Sequence, residues 1–187
     1  MRVTAYIDES ESRQDIDPGT YLLCAALLAD DDRDRHRGRM LALKRPGQKK
    51  VHWHEESTDA GRTALVDAIA DAGGEYLVVV RVGDASTRIE RRRRLCLERL
   101  CYELHVLGVE EMILESRGPA DRLDRALLDS LRAKKAVDGT LRMDHEPGPA
   151  EPLLWIPDIV CGALTHDRIG NADLLDPLRS RLTLIEV

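Results

Sequence analysis

Phenylalanine is missing from this 187-residue chain, and aromatic residues make up only 3% of it, so Leu, Val, Ile and Ala must fill the interior. No apolar run reaches the roughly 18 residues of a membrane-spanning helix, which excludes a helical membrane protein. Met1-Arg2-Val3 leads straight into a strand pattern with no signal-peptide character, so the cytoplasm is the expected location. Basic charge is not in excess: the formal net charge is −6 and the pI is near 5.5, which argues against a generic nucleic-acid-coating protein. An enzyme with a local basic groove stays compatible with that balance. The four cysteines (24, 96, 101 and 161) form no CxxC pair. Cys96 and Cys101 lie about 140° apart around a predicted helix, a poor arrangement for sharing a metal, so buried reduced thiols are expected.

What is present is a soluble globular composition, 43% hydrophobic and 33% charged, of a length that suits one domain spanning 1–187. Residues 2–8 and 20–28 read as strands joined through Asp17-Pro18-Gly19, and 20–28 is apolar on both faces, as in a sheet interior. A solvated helix is expected over 30–45, then a short extended piece around Lys50-Val51-His52-Trp53-His54. Helix 60–72 carries Leu65, Ile69 and Ala72 at helical spacing, and strand 75–82 follows. Helix 86–107 places Ile89, Cys96, Leu100, Leu104 and Leu107 on one stripe, strand 109–115 ends in Glu115, and helix 119–135 stacks Leu123, Leu127 and Leu131. A strand near 140–145, a Pro/Gly loop, helix 155–167 and a tail strand at 181–187 complete the order. A hairpin followed by alternating strands and helices predicts an α/β fold, a mixed sheet flanked by helices.

Acids end several of these core elements. Asp8 and Glu9 close the first strand, Glu115 ends Met112-Ile113-Leu114, and Asp158 opens an apolar helix after Ile156-Pro157. A buried carboxylate is costly without a cation. Three acids gathered on one rim of a sheet would suit hard divalent ions. Each also has an ordinary explanation: a solvated turn for Asp8 and Glu9, a salt bridge to Arg117 for Glu115, and the helix dipole for Asp158.

Tyr6-Ile7-Asp8-Glu9-Ser10, the strand at 20–28, the Lys-x-His-Trp segment at 50–53, the acid-ended strand at 115 and Leu154-Trp155-Ile156-Pro157-Asp158-Ile159-Val160-Cys161-Gly162-Ala163 together resemble a large family. Its members are uncharacterised bacterial and phage proteins, a domain of unknown function with a ribonuclease H-like fold. Glu11 stands where that family usually has Gly, Trp155-Ile156-Pro157-Asp158 where it more often has Leu-Gln-x-Ala-Asp, and Glu115 where it often has Asp. The resemblance implies a divalent-metal-dependent nuclease, a phosphodiester hydrolase. Two Mg²⁺ or Mn²⁺ ions, roughly 3.5–4 Å apart, would be held by Asp8, Glu115 and Asp158. Glu9 is a lesser ligand candidate, because strand alternation turns it to the opposite face.

Other groups carry weaker signals. His52 and His54 flank Trp53 and could bind zinc, line the nuclease site or stand hydrated on a surface strand. Asp144 and His145 could reach the same rim. Arg91, Arg92 and Arg94, with Lys49 and Lys50, offer phosphate contacts without base reading, or pair with Glu90, Glu98 and Glu103 on a solvated face. The apolar tail Leu182-Thr183-Leu184-Ile185 could pair with a sheet edge, and a homodimer through it is expected. Three functions remain open at this point: a metal-dependent nuclease, a non-catalytic binding or regulatory protein of the same fold, and a small zinc protein organised by His52 and His54.

Overall fold

The computed structural model describes residues 2–187. Six strands are formed: β1 (Val3–Glu11), β2 (Tyr21–Ala29), β3 (Glu75–Arg81), β4 (Glu111–Glu115), β5 (Arg142–Glu146) and β6 (Leu182–Glu186). Five helices accompany them: α1 (Arg33–Leu43), α2 (Asp59–Ala72), α3 (Ile89–Val106), α4 (Asp121–Ala133) and α5 (Trp155–Arg168). The strands make one sheet in the order β5-β4-β1-β2-β3-β6. β1 and β2 form a hairpin with a continuous register from Val3↔Ala29 to Glu11↔Tyr21, so the first strand runs on through Glu11. β2 is antiparallel to both its neighbours, whereas β1–β4, β4–β5 and β3–β6 are parallel. Helices α3, α4 and α5 supply the long crossovers that parallel pairing requires.

Both faces of the sheet are covered. Even-numbered positions of β1 and β2 (Tyr6, Leu22, Cys24, Ala26) join residues of α1, α2 and α5 in one core; odd-numbered ones (Ala5, Ile7, Leu23, Ala25) join α3 and α4 in the other. Burial on two sides explains why β2 reads as a continuous apolar run. With so few aromatics, each buried one anchors a layer. Trp155 is fully buried, and its Nε1–H donates to Gly148 O at 2.7 Å, which ties the Pro/Gly loop to the start of α5. All four cysteines are buried free thiols, as the sequence implies.

Several expected stripes are rotated. In α4 the buried face is Asp124, Leu127, Leu128 and Leu131, while Leu123 is exposed. In α3 Ile89 and Leu107 are exposed at the ends, and Arg92 and Arg93 take places on the buried face. The extended piece expected at 50–54 is broken, because Trp53–Glu55 form a 3₁₀ turn. β6 pairs with β3 of its own chain, from Tyr76↔Leu182 to Val80↔Glu186. One side of that strand is therefore used internally, and a dimer through it would have to use the other. Among the described residues, no helix is long and apolar enough to cross a membrane.

Candidate active site

β4 stops at Glu115 while β1 continues to Glu11, and the last pair in their register is Ile7↔Leu114. Beyond that pair β1 keeps β2 but loses β4, and a cleft of about 210 Å³ opens on that side. Asp8, Glu115 and Asp158 all line this cleft, with Glu9, Lys50, His52, Ser116 and Arg117. Asp8 and Glu115 arrive on the same face through the strand pleat. Asp158 arrives from the first turn of α5, which packs across β1 and β2 and whose dipole favours a carboxylate there.

The segment between α1 and α2 brings the cations. Trp53 is buried against α5, where Gly162 leaves it room: a Cβ at 162 would stand 2.2 Å from the indole. Its ring meets His166 edge-on at 5.4 Å, with the Arg62 guanidinium 5.9 Å from the centroid. Docked in this way, Trp53 donates its backbone N–H to Asp158 Oδ2 at 2.7 Å, and His52 Nδ1 lies 3.3 Å from Asp158 Oδ1. Lys50 Nζ donates to both Glu115 oxygens, at 2.6 and 2.9 Å. The Pro/Gly loop closes over Glu115 at Gly148, where a Cβ would stand 2.4 Å from Oε1.

Asp8 is different. It is 8% exposed, yet pairs with no cation among the described residues; Oδ1 accepts the adjacent Glu9 N–H at 2.8 Å and Oδ2 accepts nothing. Burial, followed by the charges of Asp158, Glu115 and Glu9, pushes its carboxyl well above the usual carboxylate range. The two cations respond in kind. The hydrogen bond to Asp158 holds the His52 pKa above the ordinary imidazole value. Burial opposes the charge of Lys50, but its hydrogen bond to Glu115 and the surrounding acids more than offset that and raise its pKa.

Among the described residues, no group of three or more His, Cys, Asp or Glu side chains is arranged to hold a metal ion as it stands. The donor chemistry nevertheless fits a hard divalent cation, because the open carboxylate is oxygen-only, buried and short of positive charge.

No family model matches the chain, and no curated protein sequence does either. Solved structures do. RNase HII from Archaeoglobus fulgidus, determined in complex with PCNA, matches with a TM-score of 0.59 at 17% identity, covering 89% of this chain and 74% of its own. Ribonuclease H2 from Pyrococcus horikoshii OT3 matches with a TM-score of 0.57 at 15% identity, over 89% of this chain and 72% of that one. Bst-RNase HIII in complex with Mn²⁺ gives 0.53 at 13%, over 96% of this chain and 54% of that one. The fold is ribonuclease H-like. The expected mixed sheet flanked by helices is therefore present, and at these identities the likeness is one of architecture.

On the other face of this ribonuclease H-like sheet lies a second charged cluster that the sequence did not reveal. Glu9 turns there, as alternation requires, and forms a salt bridge with Arg93 Nη1, with Arg117 Nε at 4.0 Å. Its carboxylate is thus engaged by arginines, although the residue also borders the acidic cleft. Arg93, 2% exposed, holds Asp124 through Nε (3.2 Å) and Nη2 (2.8 Å). Arg117 and His145 Nε2 complete the shell of Asp124, each at 3.2 Å. Burial works against the Asp124 carboxylate, but the hydrogen bonds from His145 and Arg93 depress its pKa strongly. An aspartate inside the leucine face of α4 was the available signal.

The remaining candidates disperse. His145 has a buried side chain on Asp124 rather than on the cleft rim, and Asp144 is exposed on β5, paired in register with Ile113. His54 is exposed, with its ring centroid 5.4 Å from that of His52, and among the described residues the two belong to no group of three or more possible metal ligands. Arg92 is buried, its Nη2 donating to Ala85 O at 2.6 Å, which removes it from any phosphate-binding surface. Arg91 and Arg94 are exposed and line a separate groove of about 480 Å³ between α3 and α4. Lys49 is exposed, whereas Lys50 belongs to the acidic cleft.

Proposed function

We propose that the chain is a divalent-metal-dependent hydrolase of nucleic-acid phosphodiesters, using Mg²⁺ or Mn²⁺. The observation that carries this reading is Asp8, a buried carboxylate with an open oxygen and no cation of its own, facing a cleft shared with Glu115 and Asp158. The ribonuclease H-like fold supports it, as does the Mn²⁺ complex of the structurally similar Bst-RNase HIII. Asp8 and Asp158 would be the principal ligands, with Glu115 behind Lys50. Bound there, a divalent ion supplies Lewis-acid stabilisation of phosphoryl charge and a water of lowered pKa.

The chain's own residues would do the rest. Trp53 N–H and His52 would orient the Asp158 carboxylate toward the cleft. Lys50 offers an ammonium group at the cleft, and Lys49 next to it adds an exposed positive charge for the backbone phosphates. Overall, water adds to phosphorus and the ester oxygen leaves with a proton, giving a phosphomonoester and an alcohol. The resemblance to the uncharacterised bacterial and phage family rests on the motifs around Asp8 and Asp158, which both reach this cleft.

One observation favours a second reading, a binding protein without catalysis. The two outer acids are already engaged, Glu115 by Lys50 and Asp158 by His52 and Trp53 N–H. Incubation of the chain with RNA, DNA and hybrid duplexes in the presence of Mn²⁺ separates the two. Hydrolysis that disappears in a folded Asp8→Asn variant is expected. Binding without cleavage under every metal condition overturns the hydrolase reading.

A further inference from the structure

Two ions are what the ribonuclease H resemblance implies for such a site, but the cleft has positive charge of its own. Lys50 Nζ bridges both oxygens of Glu115. Its backbone cannot easily withdraw, because Val51 and Trp53 beside it are buried in the core at 4% and 3% exposure. The Lys50 side chain itself is largely buried, with 20% of its surface exposed, and so is Glu115 at 21%. A second cation on Glu115 would have to displace an ammonium that is already docked, and the two would repel at close range.

The other half of the cleft is open. Asp8, more than nine-tenths buried, aims an unpartnered Oδ2 into it, and Asp158 is held across from it by Trp53 N–H and His52. Both Asp158 oxygens keep a lone pair beyond those bonds. The charges then balance simply. Asp8, Glu115 and Asp158 bring three negative charges; Lys50 brings one positive charge, and a single divalent ion brings two. His52, with Nδ1 3.3 Å from Asp158 Oδ1, is left out of this count. Arg117, at the rim, is engaged by Glu90 and Asp124 on the far side.

We infer that the cleft takes one divalent cation, on Asp8 and Asp158, and that the Lys50 ammonium on Glu115 stands in the place of a second. This rests on the reading of the cleft as a divalent-cation site and specifies its composition. Lys50 would thereby hold positive charge beside a bound phosphate permanently, without depending on a second metal equivalent.

The test is the number of Mn²⁺ ions bound by the full, metal-free chain, measured by isothermal titration calorimetry and by electron paramagnetic resonance. Wild type is expected to bind one ion with an uncoupled Mn²⁺ spectrum. Lys50→Met, which keeps the stem and deletes the charge, is expected to bind two and show exchange coupling. Lys50→Arg is expected to return to one. Two coupled ions on the wild-type chain overturn the inference and leave the divalent-cation reading intact; one ion on a folded Lys50→Met also overturns it. No ion on wild type overturns the cation reading and this inference together. The wild-type count decides even if Lys50→Met fails to fold.

Discussion

Asp8 and Glu9 are successive residues of one strand with the same charge, and the pleat sends them to opposite faces and opposite electrostatic surroundings. Glu9 enters a network of paired charges with Arg93, Arg117, Asp124 and His145. Asp8 enters a cleft whose cations are engaged by other acids, and it keeps an open oxygen. Buried charge is tolerated in proteins when paired. The Glu9 side meets that condition within the chain; the Asp8 side leaves it unmet. One is a structural joint between α3, α4 and β5, and the other is the cleft on which the proposed cation site rests.

That contrast can be broken most severely at Asp124. Asp124→Ala leaves Arg93 buried without its main partner and should cost about 3–5 kcal/mol. Asp8→Asn should cost none of this in metal-free protein, since no cation loses a partner. Urea denaturation of both variants checks the pair, and equal losses would erase the distinction. Next in size is Gly162→Ala, whose Cβ would meet Trp53 and so disturb the segment that delivers Lys50 and His52. A loss of about 1–3 kcal/mol is expected, as in overpacked cores, together with weaker Mn²⁺-dependent thermal stabilisation.

The pH dependence follows from Asp124. Its folded pKa lies below the unfolded value, so its contribution is present above about pH 4 and is lost as pH falls further, toward the folded pKa. Asp124→Asn should therefore flatten the acid limb of stability measured by urea midpoint; an unchanged limb would assign acid sensitivity elsewhere. The smallest effect belongs to Arg91→Ala. Exposed beside buried Arg92 and Arg93, it should change stability by no more than about 0.5 kcal/mol, while lowering nucleic-acid affinity if the α3–α4 groove takes part in binding.

Legibility in the sequence divides along the same line. The order of strands and helices and the two-sided burial of β2 follow from patterns local to each element, whereas Asp8, Glu115 and Asp158 could be grouped on one rim only through the family resemblance. The cations were hidden for a physical reason. Lys50 meets Glu115 across 65 residues of chain, and Trp53 N–H meets Asp158 across 105, so no local spacing announces either contact. Likewise Arg88 to Arg94 looks like a solvated basic run, yet the helical turn rotates Arg92 and Arg93 inward, where Glu9 and Asp124 await Arg93. Leu123, one residue from the true buried face of α4, took in the stripe reading the place that Asp124 fills.

A crystal structure grown with saturating Mn²⁺ and analysed by anomalous scattering is the most direct test of Asp8 as a cation ligand. A peak in coordinating contact with Asp8 Oδ2, on the Asp158 side of the cleft, is the predicted result. A cleft without any peak, with Asp8 turned onto a protein donor, would contradict it.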